Sequence, residues 1–127
     1  SLLQFRAAHP ALHPEKWIEP TQVSWRDAAG QVVSGGYMDD ATKPALAWRL
    51  DGPSFGDQTL YIVYNHSAQV VRVTLPAPPS GLAWYRAGDT SAFMEAQNNF
   101  HAPGEEYRMN QSLYDLGARA VAIFVAK

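Results

Sequence analysis

Residues 58–76, which read QTLYIVYNHSAQVVRVTLP, constrain the fold of this chain more than any other stretch. Apolar and polar side chains alternate with a period of two on both sides of a short polar segment, and β-branched and aromatic residues dominate, which is typical of strands. Asn65-His66-Ser67 supplies a turn, because Asn and Ser side chains bond to the nearby backbone. The pattern predicts a β-hairpin whose first strand is apolar on both faces and therefore lies in the middle of a sheet.

Other stretches carry strand patterns, and prolines and glycines separate them. They are residues 22–27, 45–51, 82–86, 106–110 and 118–126. Within 45–51 we expect Leu46, Trp48 and Leu50 to face inward and Arg49 to face outward. Residues 89–104 are expected to form a surface excursion and residues 111–117 a polar loop. Five to eight strands, with almost no helix after residue 12, predict an all-β, antiparallel β-sandwich preceded by a short N-terminal helix.

The N-terminal residues 1–8 carry that helix, with Ser1 as its expected cap. A helix of this length is unstable alone in water, so it must dock on something. Residues 9–20 hold three prolines and are expected to form an extended connector, which Leu12, Trp17 and Ile18 attach to the domain. A chain that begins inside a structured element is expected to be a segment of a larger protein.

Composition excludes several classes of protein. A length of 127 residues suits one domain with its own core. A formal net charge of −2 is unlike that of a nucleic-acid binder, and no apolar run reaches the length of a membrane span, so we expect neither partner. With no cysteine, the chain has no disulfide framework and no thiol chemistry.

No short motif for zinc proteolysis, dinucleotide binding, phosphate binding or serine hydrolysis occurs in the sequence. His9 and His13 are four residues apart, as two metal ligands on a helix would be, but Pro10 and Pro14 oppose a helix there. We therefore expect no metal site and no cofactor.

Two pairs of neighbouring carboxylates, Asp39-Asp40 and Glu105-Glu106, invite comparison with glycosidases, which use two carboxylates several ångströms apart. Neighbours on a loop are more often solvated charge. We therefore expect no catalytic residue in this chain.

Aromatic side chains are the more informative feature. They either fill a core or stack on the apolar face of a sugar, and for Trp48 the core interpretation is favoured. Trp84 and Tyr85 are adjacent on a predicted strand, so one of the two rings must face outward, and they are the candidates for substrate binding. Asn65 and Asn110 begin glycosylation-like N-x-S patterns, which we interpret as ordinary turns.

A resemblance to a known family appears at residues 2–12, LLQFRAAHPAL. They are similar to the segment that ends the catalytic barrel in isoamylase-type debranching enzymes, which belong to the α-amylase superfamily of glycoside hydrolases. The family's later features follow in order: a V-x-W strand, a Y-I-x-x-N-x-S hairpin, a V-x-x-T-L-P ending, a W-x-x-x-x-D-T-S stretch and a final apolar strand. Here they are Val23–Trp25, Tyr61–Ser67, Val71–Pro76, Trp84–Ser91 and Val121–Val125.

The resemblance implies that residues 1–20 are the end of a barrel helix with its connector, and residues 21–127 the C-terminal β-sandwich domain. In the family the catalytic carboxylates lie on the barrel, so this segment would be non-catalytic and would stabilise the barrel. The parent would hydrolyse α-1,6-glucosidic branch points of glycogen or starch, in the cytoplasm or in a plastid. Glycogen-debranching relatives carry an Asp-Trp pair in the loop 35–44, whereas Asp39-Asp40 has no Trp after it. The subfamily stays open among isoamylase, glycogen debranching enzyme and pullulanase.

Two alternatives remain beside the structural domain. One is a glucan-binding accessory module, which would need outward-facing rings. The other is an unrelated β-sandwich interaction domain, against which the amphipathic helical start argues.

Overall fold

The structure is a computed structural model that describes residues 2–33 and 35–127, without the side chain of Met38. This part of the chain contains eight strands, all paired antiparallel. Helix α1 (Leu2–Ala8) precedes them, and Ser1, the expected cap, lies outside the described residues. The strands are β1 Val23–Arg26, β2 Ala45–Leu50, β3 Leu60–Asn65, β4 Val71–Thr74, β5 Trp84–Asp89, β6 Tyr107–Arg108, β7 Leu113–Leu116 and β8 Val121–Ala126. This confirms the all-β, sandwich-like prediction.

The strands divide into two sheets. The large sheet has the order β1-β2-β3-β8-β5-β6, and the small sheet pairs β4 with β7. The central position predicted for β3 and β8 is confirmed, since each lies between two neighbours and is buried on both faces. Both strands are apolar on both faces because each face meets a separate core.

The main core fills the space between the two sheets. Tyr61, Trp84, Tyr114 and Phe124 are its largest side chains, with small alanines of β2 and β8 between them. The Tyr114 ring meets Phe124 edge-on at 5.2 Å between centroids, a favoured aromatic geometry. Burial raises the pKa of the Tyr61 hydroxyl to about 12.

A second core lies on the opposite face of the large sheet, and the N-terminal segment covers part of it. Phe5 and Ala11 pack there against apolar side chains of β2, β3 and β8. The His9 Nδ1 lies 2.8 Å from the Asp57 carboxylate, and the Ala11 amide donates to the same carboxylate at 3.1 Å. This buried contact attaches the segment to the loop between β2 and β3.

The predicted hairpin is wrong, although both of its strands exist. β3 pairs with β2 and β8, while β4 pairs with β7 in the other sheet. Between them the chain crosses from one sheet to the other, and the fully buried Asn65 holds the corner. Its Nδ2 donates to the carbonyls of Gln69 at 2.7 Å and Gly117 at 2.9 Å, and its Oδ1 accepts from the Ser67 amide at 2.9 Å. Alternation specifies two strands but not which neighbours they pair with.

The stretches between the predicted strands also need correction. The expected polar loop 111–117 contains β7, whose Tyr114 and Leu116 are buried in the main core. The expected surface excursion 89–104 begins with the buried Asp89 and Ser91 and also buries Met94. Most of residues 92–104 are exposed, so that part of the expected excursion is confirmed, whereas residues 113–116 alternate exposed and buried side chains as a strand does.

The prediction that Leu46, Trp48 and Leu50 of β2 face inward is only partly correct. Leu50 is buried and Leu46 and Trp48 are half-buried, but Ala45 and Ala47 on the other face are buried more completely. Arg49, expected outside, is half-buried with its guanidinium 5.9 Å from the centre of the Trp84 ring. The strand is covered on both sides, which a single apolar stripe does not reveal.

Candidate functional site

An exposed apolar surface lies beside the second core, where the N-terminal segment stops covering the sheet. We call it the apolar face and define it by Leu12, Ile18, Val23, Trp25 and Trp48, which line one shallow depression. Trp25 and Trp48 are register partners on β1 and β2, and their rings lie 5.7 Å apart. Trp25 is 40% exposed and Ile18 is 39% exposed, so the face is incompletely covered.

Trp17 extends this surface and corrects one expectation. It was expected to attach the connector to the domain, yet 96% of it is exposed. Leu12, by contrast, packs against the second core as expected. On α1, Leu2 and Leu3 also point away from the domain while Phe5 points in. A connector with prolines on either side of Trp17 holds an indole in water, where it gains nothing from hydrophobic burial.

The two candidates for substrate binding lie on β5, and their side chains lie on opposite faces of the strand. The Trp84 ring is 4% exposed and belongs to the main core, where its Nε1 donates to the Pro76 carbonyl at 2.7 Å. Tyr85 is half-buried on the opposite face, with the Lys127 ammonium 5.0 Å from its ring centre. Of the two rings, Tyr85 is the one that a ligand could reach.

The sequence analysis did not predict a polar network that Arg86, Asp89 and Tyr114 form next to these residues. The Tyr114 hydroxyl donates to the buried Asp89 carboxylate, and the Arg86 Nη1 lies 3.4 Å from the same hydroxyl. Burial and then the hydrogen bond to Asp89 raise the pKa of Tyr114 above its ordinary value. The Asp89 carboxylate also accepts from the Ser91 amide at 2.7 Å. Arg86 and Asp89 interrupt an otherwise apolar strand, and that interruption was the available signal.

Three of the other candidates for chemistry make local contacts. His9 is bound to Asp57, and among residues 2–33 and 35–127 no group of three or more potential ligands could hold a metal ion. Asp40 accepts from Thr42 within its own loop, which lowers the pKa of that carboxyl. Glu106 is bonded to Lys127 at 2.6 Å.

The fold and its surfaces define a class of protein: an antiparallel, sandwich-like domain with a partly exposed apolar face. A family model described as "Isoamylase, C-terminal" matches residues 22–125. The chain is 42% identical over 106 residues to an isoamylase of Pseudomonas amyloderamosa, covering 83% of this chain and 14% of that protein. It is 34% identical over 138 aligned positions to an isoamylase of Flavobacterium sp., covering 99% of this chain and 18% of that protein.

This chain belongs to the isoamylase C-terminal family. That membership confirms the resemblance found in the sequence and removes the unrelated interaction domain from consideration. The chain spans less than a fifth of the length of these relatives. No helix in the described part of the chain is long and apolar enough to cross a membrane.

Proposed function

We propose that this chain is the non-catalytic C-terminal domain of an isoamylase-type enzyme and that it stabilises the catalytic barrel of that enzyme by packing on it. The observation that carries the proposal is the almost fully exposed Trp17 next to the apolar face. The relatives are several times longer than this chain, and the remainder of such an enzyme would contain the structure that covers this surface. The division into residues 1–20, as barrel end and connector, and residues 21–127, as the sandwich, is part of the same proposal.

The whole enzyme, by its relatives' names, would be an isoamylase. We propose that it hydrolyses α-1,6-glucosidic branches, with its catalytic carboxylates on the barrel outside this chain. The cytoplasm or a plastid remains the location that the resemblance predicts.

The test compares the 127-residue chain with the longer enzyme. A tryptophan ring buries about 150–250 Å², which at about 25 cal/mol per Å² corresponds to an upper limit of about 4–6 kcal/mol for covering Trp17. Trp17→Ser should therefore lower the free energy of unfolding of the longer enzyme by up to that amount while leaving the 127-residue chain almost unchanged. Phe93→Ser, at another exposed aromatic, is the matched control. An equal effect of Trp17→Ser on both proteins would contradict the docking role.

Glucan binding through Trp84 and Tyr85 stays a separate prediction. Native electrophoresis through gels with and without amylopectin measures it, because bound polysaccharide retards the protein. Since Trp84→Ala also empties part of the main core, Tyr85→Ala is the clean variant. Retardation that Tyr85→Ala abolishes would support a site on this strand, and retardation that survives would move it elsewhere.

A further inference from the structure

A cavity of about 490 Å³ lies next to β5 and β6, and the proposed docking role does not involve it. Small-ligand sites commonly have about 300–1,000 Å³. The cavity's polar wall consists of Arg72, Arg86, Gln97, Gln111 and Asp115, and its aromatic wall of Tyr107 and Tyr114. We call it the Arg86 cavity.

Arg86 is the unusual member of this wall. It is only 9% exposed, and its Nε is buried with no hydrogen-bond partner among the described residues. Its Nη1 has the Tyr114 hydroxyl at 3.4 Å, a long contact. No carboxylate in residues 2–33 or 35–127 forms an ion pair with it. Buried donors without acceptors are rare in folded proteins, so a mostly buried guanidinium at the wall of a cavity is a candidate for binding a ligand.

The two tyrosines add a surface of a second chemical kind. The Arg86 guanidinium lies 5.1 Å from the Tyr107 ring centre and 5.9 Å from the Tyr114 ring centre. Tyr107 is 51% exposed, so its ring is also accessible from outside. An accessible ring beside fixed donors suits a ligand with an apolar face and several hydroxyl groups.

Charge balance selects among the possible ligands. The Arg72 guanidinium is bound by Asp115 at 2.9 Å and 3.3 Å, and the Asp89 carboxylate lies behind Tyr114. Asp89 is not part of the cavity's lining, but its carboxylate lies one hydrogen bond beyond the Tyr114 hydroxyl and offsets part of the Arg86 charge. A site whose positive charge is largely offset favours a neutral polyhydroxyl ligand over a phosphate or a carboxylate, because an anion would lie beside Asp115 as well as the arginines.

We propose that the Arg86 cavity binds a glucosyl unit of an α-glucan. The choice of glucan rests on the proposed function, since it is the polymer on which the parent enzyme would act. The ring of the sugar would contact Tyr107, and its hydroxyl groups would accept from Arg86 and bond to the amides of Gln97 and Gln111. The lining of the cavity comes from β4 to β7 and the segments that join them, and it does not include Trp84 or Tyr85.

The experiment is a titration of the ¹⁵N-labelled 127-residue chain with maltohexaose, followed by the arginine Nε–H signals and the backbone amides of β5 and β6. We expect the Arg86 signal to shift at millimolar sugar. Tyr107→Ala should raise the dissociation constant about tenfold, in line with the loss of one aromatic contact. Gln111→Ala, at an exposed position, is a second variant that spares the core. Tyr64→Ala removes an exposed tyrosine far along the chain on β3 and is the matched control.

Inorganic phosphate at the same concentration forms the second arm. Shifts of Arg86 with maltohexaose alone, weakened by Tyr107→Ala and not by Tyr64→Ala, would support the proposal. Shifts with phosphate alone would overturn the neutral-sugar assignment, and shifts with neither probe would overturn the site itself. Sugar binding that Tyr107→Ala and Gln111→Ala both leave unchanged would also overturn it. Each failure is distinct from failure of the docking role, which is measured on Trp17 by unfolding of the longer enzyme.

Discussion

The corner between β3 and β4 offers the sharpest test of how this fold is held together. Replacing Asn65 by alanine removes both amide hydrogens, which serve the carbonyls of Gln69 and Gly117 at 2.7 Å and 2.9 Å, with Leu116 as a third acceptor at 3.2 Å. The contacts with Leu116 and Gly117 are buried, so water cannot replace those bonds without entering the core, whereas Gln69 is an exposed residue. Each buried polar group left without its partner costs about 1–3 kcal/mol, so two buried carbonyls without a donor predict about 2–6 kcal/mol.

That loss is a large fraction of the stability of a domain, which is about 5–15 kcal/mol in total. Urea unfolding of the 127-residue chain, followed by circular dichroism and tryptophan fluorescence, measures it if the two probes coincide. The midpoint should fall while the slope with urea stays constant, because the native fold is unchanged. Asn65→Asp should cost at least as much as the alanine, since it places an oxygen where the backbone carbonyls need a donor.

Asn110 provides the matched control, because it begins the same N-x-S pattern at an exposed position. Asn110→Ala should change the free energy of unfolding by no more than about 0.5 kcal/mol. The reasoning would be refuted if Asn65→Ala cost less than about 1 kcal/mol, or if Asn65→Asp were tolerated as well as the wild-type residue. Either result would mean that the corner is held by packing alone.

Three further predictions concern other parts of the domain. Gly52→Ala would overlap a neighbouring backbone carbonyl and should cost at least about 1–3 kcal/mol in urea unfolding, whereas Gly35→Ala, in open space, should be nearly neutral; equal costs would contradict this. Because the pKa of Tyr114 is raised in the folded state, the unfolded chain loses this proton first, and the stability that it contributes below pH 10.0 falls as the pH rises above that value. Tyr114→Phe should therefore flatten the fall of the urea midpoint at alkaline pH. Burial alone would raise the pKa of Glu106, but its hydrogen bonds and the charge of Lys127 lower it below 4.5. The cost of Lys127→Met, under about 1 kcal/mol at neutral pH because the ammonium is partly exposed, should therefore vanish on acidification, and a constant cost would count against the ion pair.

The sequence by itself determined the class of fold and most of its strands. β3 and β8 were predicted as central strands because both of their faces are apolar, and both are central. Their pattern depends only on local alternation, which every sequence displays directly. The family was likewise visible, because short motifs in a fixed order survive in the sequence whether or not the structure is known.

Only the tertiary structure decided which strands pair and which polar groups are buried. β4 has the pattern of a hairpin partner for β3, yet it pairs with β7 because Asn65 carries the chain across to the other sheet. Arg86, Asp89 and Tyr114 meet inside the fold although 25 residues separate Asp89 from Tyr114. Strand pairing and polar contacts of this kind depend on which distant residues the fold brings together. A local sequence pattern describes only neighbouring residues, so it cannot predict such contacts.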